Sequence, residues 1–540
     1  MLKSKKSILV LITLLTSNFC YGQNAPFEIS IVPLKIEGLG GIQSYAFAQH
    51  NGKWLIIGGR LDGLHQRQPF AAFDLAGHNN QLIVVDPIAN KNWTAPLSSL
   101  PNSVQEQLSS TNMEFYQEGE YLYFLGGYGY SASVSDHITF NNLTAIKVPD
   151  VINAVINNTS FTSFIRQITD NNFQVTGGRL KKINDTYYLL GGQKFMGRYN
   201  PMGPGHGPGF TQEYTNSVRK FEIVDNGTII NITHLASFID SAQLHRRDYN
   251  AESQILPNGN EGITMFSGVF QPNANLPFLN SVTIDSQSYY ANNSFKQYYN
   301  HYHCPVLPLY SEKDKEMHTV FFGGIAQFYD SAGILVQDNN VPFVNTIARV
   351  TRAANGKMSE HKLPIVMPSL LGAGAEFIPN TNFPHFKNEV FKMDSITKDS
   401  LLIGYIYGGI SSTSPNIFFT NNGSQSDANN QIFKVFIKEP SLLSIDDLNT
   451  ASTSSLNLTI YPNPTEGELK ISFNLSKRED AKISVLDLKG KLIDEIVLTN
   501  LDLGKNLITR SINKLDTNGI YFISLETSTE RITHKLILKK

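Results

Sequence analysis

One local pattern recurs six times along the 540 residues and limits what the chain can fold into. A short apolar run ends in two glycines: "WLIIGG" at 54–59, "YLYFLGG" at 121–127, "TYYLLGG" at 186–192, "ITMFSG" at 263–268, "TVFFGG" at 319–324 and "YIYGG" at 405–409. Intervals run from about 55 to 85 residues. Turns such as "HNGK", "QEGE" and "INDT", rich in residues that tolerate positive φ, precede the runs and read as hairpins. A further strand follows each, as in "QLIVVDP" (81–87), "SVRKFEIV" (217–224), "NTIARVT" (345–351) and "QIFKVFI" (431–437). Helical periodicity is scarce, and the plentiful aromatic and β-branched residues suit pleated surfaces.

Repeated units of about four strands are the signature of a β-propeller, one unit per blade. The expected fold class is all-β: a six-bladed propeller, with intervals long enough to leave room for a seventh blade, followed by a small antiparallel Ig-like β-sandwich. The glycine-ended strand, the strand after it and the trailing "NWTAPLSSLP" resemble kelch-type repeats over residues 27–440. Two departures mark the resemblance: only the first unit has the later Trp93, and the fourth has Ser-Gly for Gly-Gly. The segment "FEISIVPLKI" (27–36) is expected to give the last blade its outer strand.

In such a fold the loops after the glycines share a face with the starts of the inner strands. Here those loops are long, at about 60–80, 128–142, 193–216, 269–280, 325–344 and 410–430, and the opposite turns are short. Long loops on a rigid frame are where binding concentrates. The candidate ligand-binding residues on that face are Tyr45, Arg60, Asp62, His65, Asn112, Glu114, Arg179, Arg246, Asp248 and Glu376. "HRRDYN" (245–250) adds Arg247 and Tyr249, and "YYNHYHC" (298–304) adds His301 and His303, two apart and expected on one side of a strand. Guanidinium groups pair carboxylates or sulfates bidentately and aromatic rings stack on sugars, so the expected ligand is a glycan.

Arg247, Tyr249, His301 and His303 also suit catalysis. Abstracting a proton beside a uronate carboxylate needs a cation to neutralise the acid and a Tyr or His base. A polysaccharide lyase is therefore the alternative to simple binding, and a protein-binding or adhesive module is a third reading; whether the chain is an enzyme stays open. No cofactor is expected, although a metal ion at His301 and His303 stays open. Copper-radical oxidases on kelch-type propellers need a cross-linked Tyr–Cys pair with two His and another Tyr, a set that Cys304, next to His303, does not supply. The loop "KFMGRYNPMGPGHGPGF" (194–210) has no following helix and reads as a cavity wall, not a dinucleotide turn.

Both ends of the chain read as export signals. Lys3, Lys5 and Lys6 precede an apolar run at 7–16, and Cys20-Tyr21-Gly22 forms a cleavage site before Gln23, which gives a signal peptide over 1–22. Cys304 is then the sole cysteine left, so no internal disulfide is expected. After the propeller (23–440) comes a Ser/Thr-rich linker (441–455) and a domain at 456–540. In that domain Tyr461-Pro462-Asn463-Pro464, Gly490, Gly519, Tyr521, Lys535 and Lys539 resemble the type A C-terminal sorting domain of type IX secretion cargo, a Bacteroidetes family. The resemblance implies passage across the outer membrane, handling by the secretion machinery and its sorting peptidase, and release or anchoring at the cell surface. A formal charge of −2 without a basic stripe argues against nucleic acid, and no transmembrane segment is expected.

Overall fold

The glycine-ended runs are continuously apolar because both faces of each strand are covered. In Lys53–Ile57, Trp54 and Ile56 enter one apolar cluster while Leu55 and Ile57 enter another. Tyr123 and Leu125 likewise part from Leu122 and Phe124, and Tyr187 and Leu189 from Tyr188 and Leu190. Alternate side chains leave a strand on opposite sides, so a sheet packed on both faces needs apolar residues at every position.

The computed structural model describes residues 25–68, 70–440, 456–487, 491–511, 518–528 and 530–539. The segments read as signal peptide and linker, and Gly490, lie outside them. The chain divides into two compact units, 1–440 and 441–540.

The first unit is all-β in its main framework and holds six sheets built on the same antiparallel four-strand plan, the fifth with one short parallel strand added. The first contains Ala46–His50, Lys53–Ile57, Gln81–Asp86 and Lys91–Pro96. The next four begin at Glu114–Glu118, Arg179–Ile183, Asn250–Ile255 and Val306–Ser311. The sixth takes Ala375–Pro379, Leu401–Gly408 and Ile432–Lys438 from late in the chain and Glu28–Leu34 from its start. Glu28 pairs with Lys438 and Leu34 with Ile432 in unbroken antiparallel register, which is the outer strand expected from 27–36.

Apolar clusters fill the space between consecutive sheets. One joins the first and second sheets through Leu55, Leu82, Leu122 and Phe124; another joins the fifth and sixth through Leu307, Val320, Phe377 and Ile406. The sixth sheet also packs on the first, through Ile378 and Tyr407 against Trp54 and Ile56.

The glycine pairs allow close approach. Gly58 and Gly59 have φ of +65° and +86°, and a Cβ on Gly59 would lie 2.7 Å from the Gln43 carbonyl oxygen. In the fourth sheet Ser267 and Gly268 take the same left-handed turn, at φ of +55° and +102°, so the sequence departure there leaves the backbone unchanged.

Several connections carry more order than the sequence indicates. The loops after the second and third glycine pairs form hairpins, Tyr128–Ser131 with Asp136–Thr139 and Gln193–Met196 with Thr211–Tyr214, and these combine into one four-stranded sheet. Val148–Asn157 is a helix whose Val151, Ile152 and Val155 enter the cluster between the first two sheets. The second unit has a three-stranded and a four-stranded antiparallel sheet that share one core, with Leu469, Ile471 and Phe473 from the first and Ile483, Val485 and Ile523 from the second.

Candidate functional site

Six backbone hydrogen bonds join the starts of the inner strands. The amide of Asn112 donates to the Ser44 carbonyl (3.2 Å), Gly177 to Asn112 (2.9 Å), Asp248 to Gly177 (2.7 Å), His303 to Asp248 (3.2 Å), Gly374 to His303 (3.0 Å) and Ser44 to Gly374 (2.7 Å). The circle of bonds closes on itself, and one residue lying just ahead of each sheet's first strand stands at its rim. The loops after the glycines rise on the same side, tied back by the bridges Gln43 to Arg60, Thr111 to Tyr128, Thr176 to Gln193 and Arg247 to Val269.

Within the circle lies a narrow neck of about 20 Å³, room for about one water molecule. Tyr45, Asn112, Arg179, Asp248, Tyr249, His303 and Glu376, all anticipated from the sequence, line it together. Glu114 lies behind the lining residue Gly178: its Oε1 accepts the Gly178 amide at 2.7 Å and its buried Oε2 accepts nothing among the described residues. Burial pushes this carboxyl up to about 8. Arg179 stands between carboxylates, with Nη1 3.6 Å from Glu376 Oε1 and Nε donating to the Tyr249 carbonyl at 3.2 Å. His303 Nε2 lies 2.8 Å from the same Glu376 oxygen, off the line of a well-formed ring N–H hydrogen bond. Burial, first, and then the Arg179 charge lower the His303 pKa; burial also works against the Glu376 charge, but His303 and Arg179 beside it hold the Glu376 pKa below its ordinary value.

On the loop side, Arg247 is the hub. Its Nε donates to Tyr214 Oη at 3.1 Å, its Nη1 pairs with Asp248, and its guanidinium lies 5.1 Å from the centre of the Phe270 ring. No hydrogen bond engages Nη2 among the described residues. His65, Tyr199 and Tyr302 all stand close enough to feel the Arg247 charge. His65 packs edge-on to Tyr199 at 4.8 Å, and burial, first, then the cations Arg247 and Arg60 hold its pKa down to about 4. Tyr199, Tyr214, Phe270 and Tyr302 are half-buried and keep part of their surface in water.

Four expectations need correction. Arg246 is fully buried and donates to the Gln243, Ser267 and Asn280 carbonyls and to Asn280 Oδ1, with its guanidinium over Phe278, so it holds loops together and reaches no site. Tyr45 and Tyr249 touch the neck, but their hydroxyls donate to the Tyr407 and Leu190 carbonyls, which leaves Tyr249 unsuited to act as a base. His301 does not share a strand face with His303: residues 298–304 form no strand, and its two nitrogens engage the Gln327 amide and the Gln297 carbonyl. Arg60 and Asp62 bind each other through two contacts, with Arg60 Nη2 also donating to the Asp74 carbonyl, and so brace the base of their loop. Tyr199, Tyr214, Phe270 and Tyr302 are the residues sequence reasoning missed; each sits in a long loop or beside a cited motif, with no spacing to single it out. Among the described residues no group of three His, Cys, Asp or Glu side chains is arranged to hold a metal ion.

In the second unit, Asn463 clamps the Tyr461–Pro464 segment to the final strand. Its Nδ2 donates to the Lys535 carbonyl at 2.7 Å and its Oδ1 accepts the Ile537 amide at 2.8 Å. Tyr521 is buried in the core, while Gly519 begins its strand and Lys535 lies in the last one.

Residues 459–539 match the family model of secretion system C-terminal sorting domains. This domain indicates type IX secretion to the cell surface or extracellular space, and no helix among the described residues is long and apolar enough to cross a membrane. No curated protein matches the sequence. Similar solved structures include that of YjhT (11% identity, TM-score 0.37, covering 74% of this chain and 98% of that one). A fungal alcohol oxidase of the AA5 family in complex with copper aligns at 8% identity and TM-score 0.36 over 96% and 100%. Glycoside hydrolase family 32 from Bifidobacterium adolescentis aligns at 8% and 0.25 over 94% and 95%.

Proposed function

We propose that this exported chain carries a six-bladed kelch-like β-propeller whose long-loop face binds an extracellular glycan. The closed circle of six hydrogen bonds, the packing of the sixth sheet on the first and the N-terminal strand in the last sheet support the propeller reading.

The cluster around Arg247 carries the ligand assignment. A guanidinium with one arm unengaged, a carboxylate beside it and four half-buried aromatic rings offer the two things a sugar needs, directional hydrogen bonds and apolar faces to stack on. An acidic sugar fits best, because Arg247 can form a second charge-assisted hydrogen bond to a carboxylate or sulfate. The lyase reading has less support, since Tyr249 and His301, two of its four catalytic candidates, are held by backbone groups.

Affinity electrophoresis of the mature chain in gels containing uronate polymers tests the assignment. Retardation is expected, and Arg247→Ala should remove it with the unfolding midpoint little changed. Undiminished retardation in that variant would overturn the site. Appearance of unsaturated uronate ends, read by ultraviolet absorbance, would instead support the lyase.

A further inference from the structure

On the other side of the neck from the loops, the inner strands enclose a chamber of about 140 Å³. Its walls include the rings of Phe47, Phe115, Tyr116, Phe377 and Phe391. The segment between Pro379 and Leu401 folds across it: Phe391 and Lys392 pair in parallel with Leu309 and Tyr310, and the Lys392 amide donates to the Pro384 carbonyl at 2.9 Å. That segment places Asn388 and Glu389 at the chamber.

The charges lining the chamber leave one excess. Arg179 faces Glu376, and Lys181 pairs with Glu252 at 2.7 Å. The Glu389 carboxylate has neither an ion pair nor a hydrogen bond among the described residues. Beside it, Asn388 Nδ2 donates to the Gln254 carbonyl at 3.2 Å, while its buried Oδ1 accepts nothing. Glu389 itself is held at φ +67°, a region side chains with a Cβ seldom enter. The exposed, unpaired Glu389 carboxylate leaves one negative charge in excess, in walls that mix aromatic rings with ion-paired side chains.

We propose that this chamber binds a small organic ammonium ion carrying N–H donors and a short apolar body. The ammonium would donate to Glu389, and the rings would face its charge and its carbon chain. An anion is disfavoured because both cations in the wall already have carboxylate partners. A bare metal ion would find one free carboxylate and too few oxygen ligands. Cavities of about this size take a benzene-sized guest, so about six heavy atoms fit. The site is separate from the Arg247 cluster and does not depend on the glycan assignment.

Titration calorimetry of the mature full-length chain with n-butylammonium chloride tests it, with sodium chloride and n-butanol as controls. Saturable one-to-one binding is expected for the ammonium alone, weakened about tenfold or more in Glu389→Gln, a loss in line with one charge-assisted hydrogen bond. Phe115→Ala should also weaken it, and Arg247→Ala should leave it unchanged. Tetramethylammonium, which has no N–H, should bind more weakly than n-butylammonium. Equal affinity in a folded Glu389→Gln variant, or absence of saturable heat in the parent chain, would overturn the proposal; equal affinity for tetramethylammonium would overturn the requirement for N–H donors.

Discussion

Glu114 accepts the Gly178 amide through one carboxyl oxygen and buries the other without a partner, which ties the second sheet to the start of the third through a group that prefers to be protonated. Burial is the main cause, and it raises the pKa from 4.5 to about 8. A group with a raised folded-state pKa stabilises fully below its unfolded value and loses that contribution as pH rises through the folded one. Replacing it with glutamine keeps the acceptor and removes the charge. The parent chain should therefore lose stability relative to Glu114→Gln between pH 4.5 and about 8, by up to about 5 kcal/mol at ~1.4 kcal/mol per pH unit. Thermal melts of both proteins across that range check the sign. A constant difference would mean that Glu114 does not titrate there.

Neighbouring arginines have opposite roles. Arg246 makes four hydrogen bonds to backbone and Asn280 acceptors in the interior, whereas Arg247 lies half-buried at the loop face. Arg246→Ala should cost about 3–5 kcal/mol, because it strands several buried acceptors. Arg247→Ala should cost about 1 kcal/mol and act on ligand retention. Urea denaturation beside the affinity gel distinguishes them, and equal stability losses would contradict this division.

Two glycines with similar backbones should respond differently to a methyl group. Gly52 (φ +73°) would place a Cβ 4.0 Å from its nearest neighbour, whereas Gly59 (φ +86°) would place one 2.7 Å from both the Gln43 carbonyl and Tyr45 Cβ. Gly52→Ala should cost about 1 kcal/mol for the left-handed backbone alone. Gly59→Ala should cost about 1–3 kcal/mol more for crowding. Denaturation midpoints of the two variants measure that gap.

Removing residues 456–540 should keep the first unit from reaching the cell surface, as judged by protease digestion of intact cells. A milder change, Asn463→Ala, removes both bonds that clamp the Tyr461–Pro464 segment to the last strand and should reduce surface display. Unaltered display of the truncated chain would mean that export does not depend on this domain.

The framework was legible because a sheet covered on both faces writes itself as a continuous apolar run, and a positive-φ turn writes itself as glycine. The neck residues were legible for a related reason: Asn112, Arg179, Asp248, His303 and Glu376 each lie at or beside an inner-strand start, so their place in the repeat gave their place in space. Loop residues have no such register. Tyr199 and Tyr214 reach Arg247 only because two hairpins fuse into one sheet, an event that no local pattern encodes. His301 misled because an alternation of His and Tyr looks like a strand, whereas the segment bends and gives both imidazole nitrogens to the backbone.

The pairing of Glu28–Leu34 with Ile432–Lys438 also sets a timetable. The first described strand of this unit to be synthesised has its partner strand among the last, about 400 residues later. Until that partner emerges, the N-terminal strand and the edge awaiting it are both unmatched, and such distant pairings are slow to form. Completion of the sixth sheet is therefore deferred to the end of that unit's synthesis, and a chain cut short before residue 432 would leave Glu28–Leu34 without its partner strand.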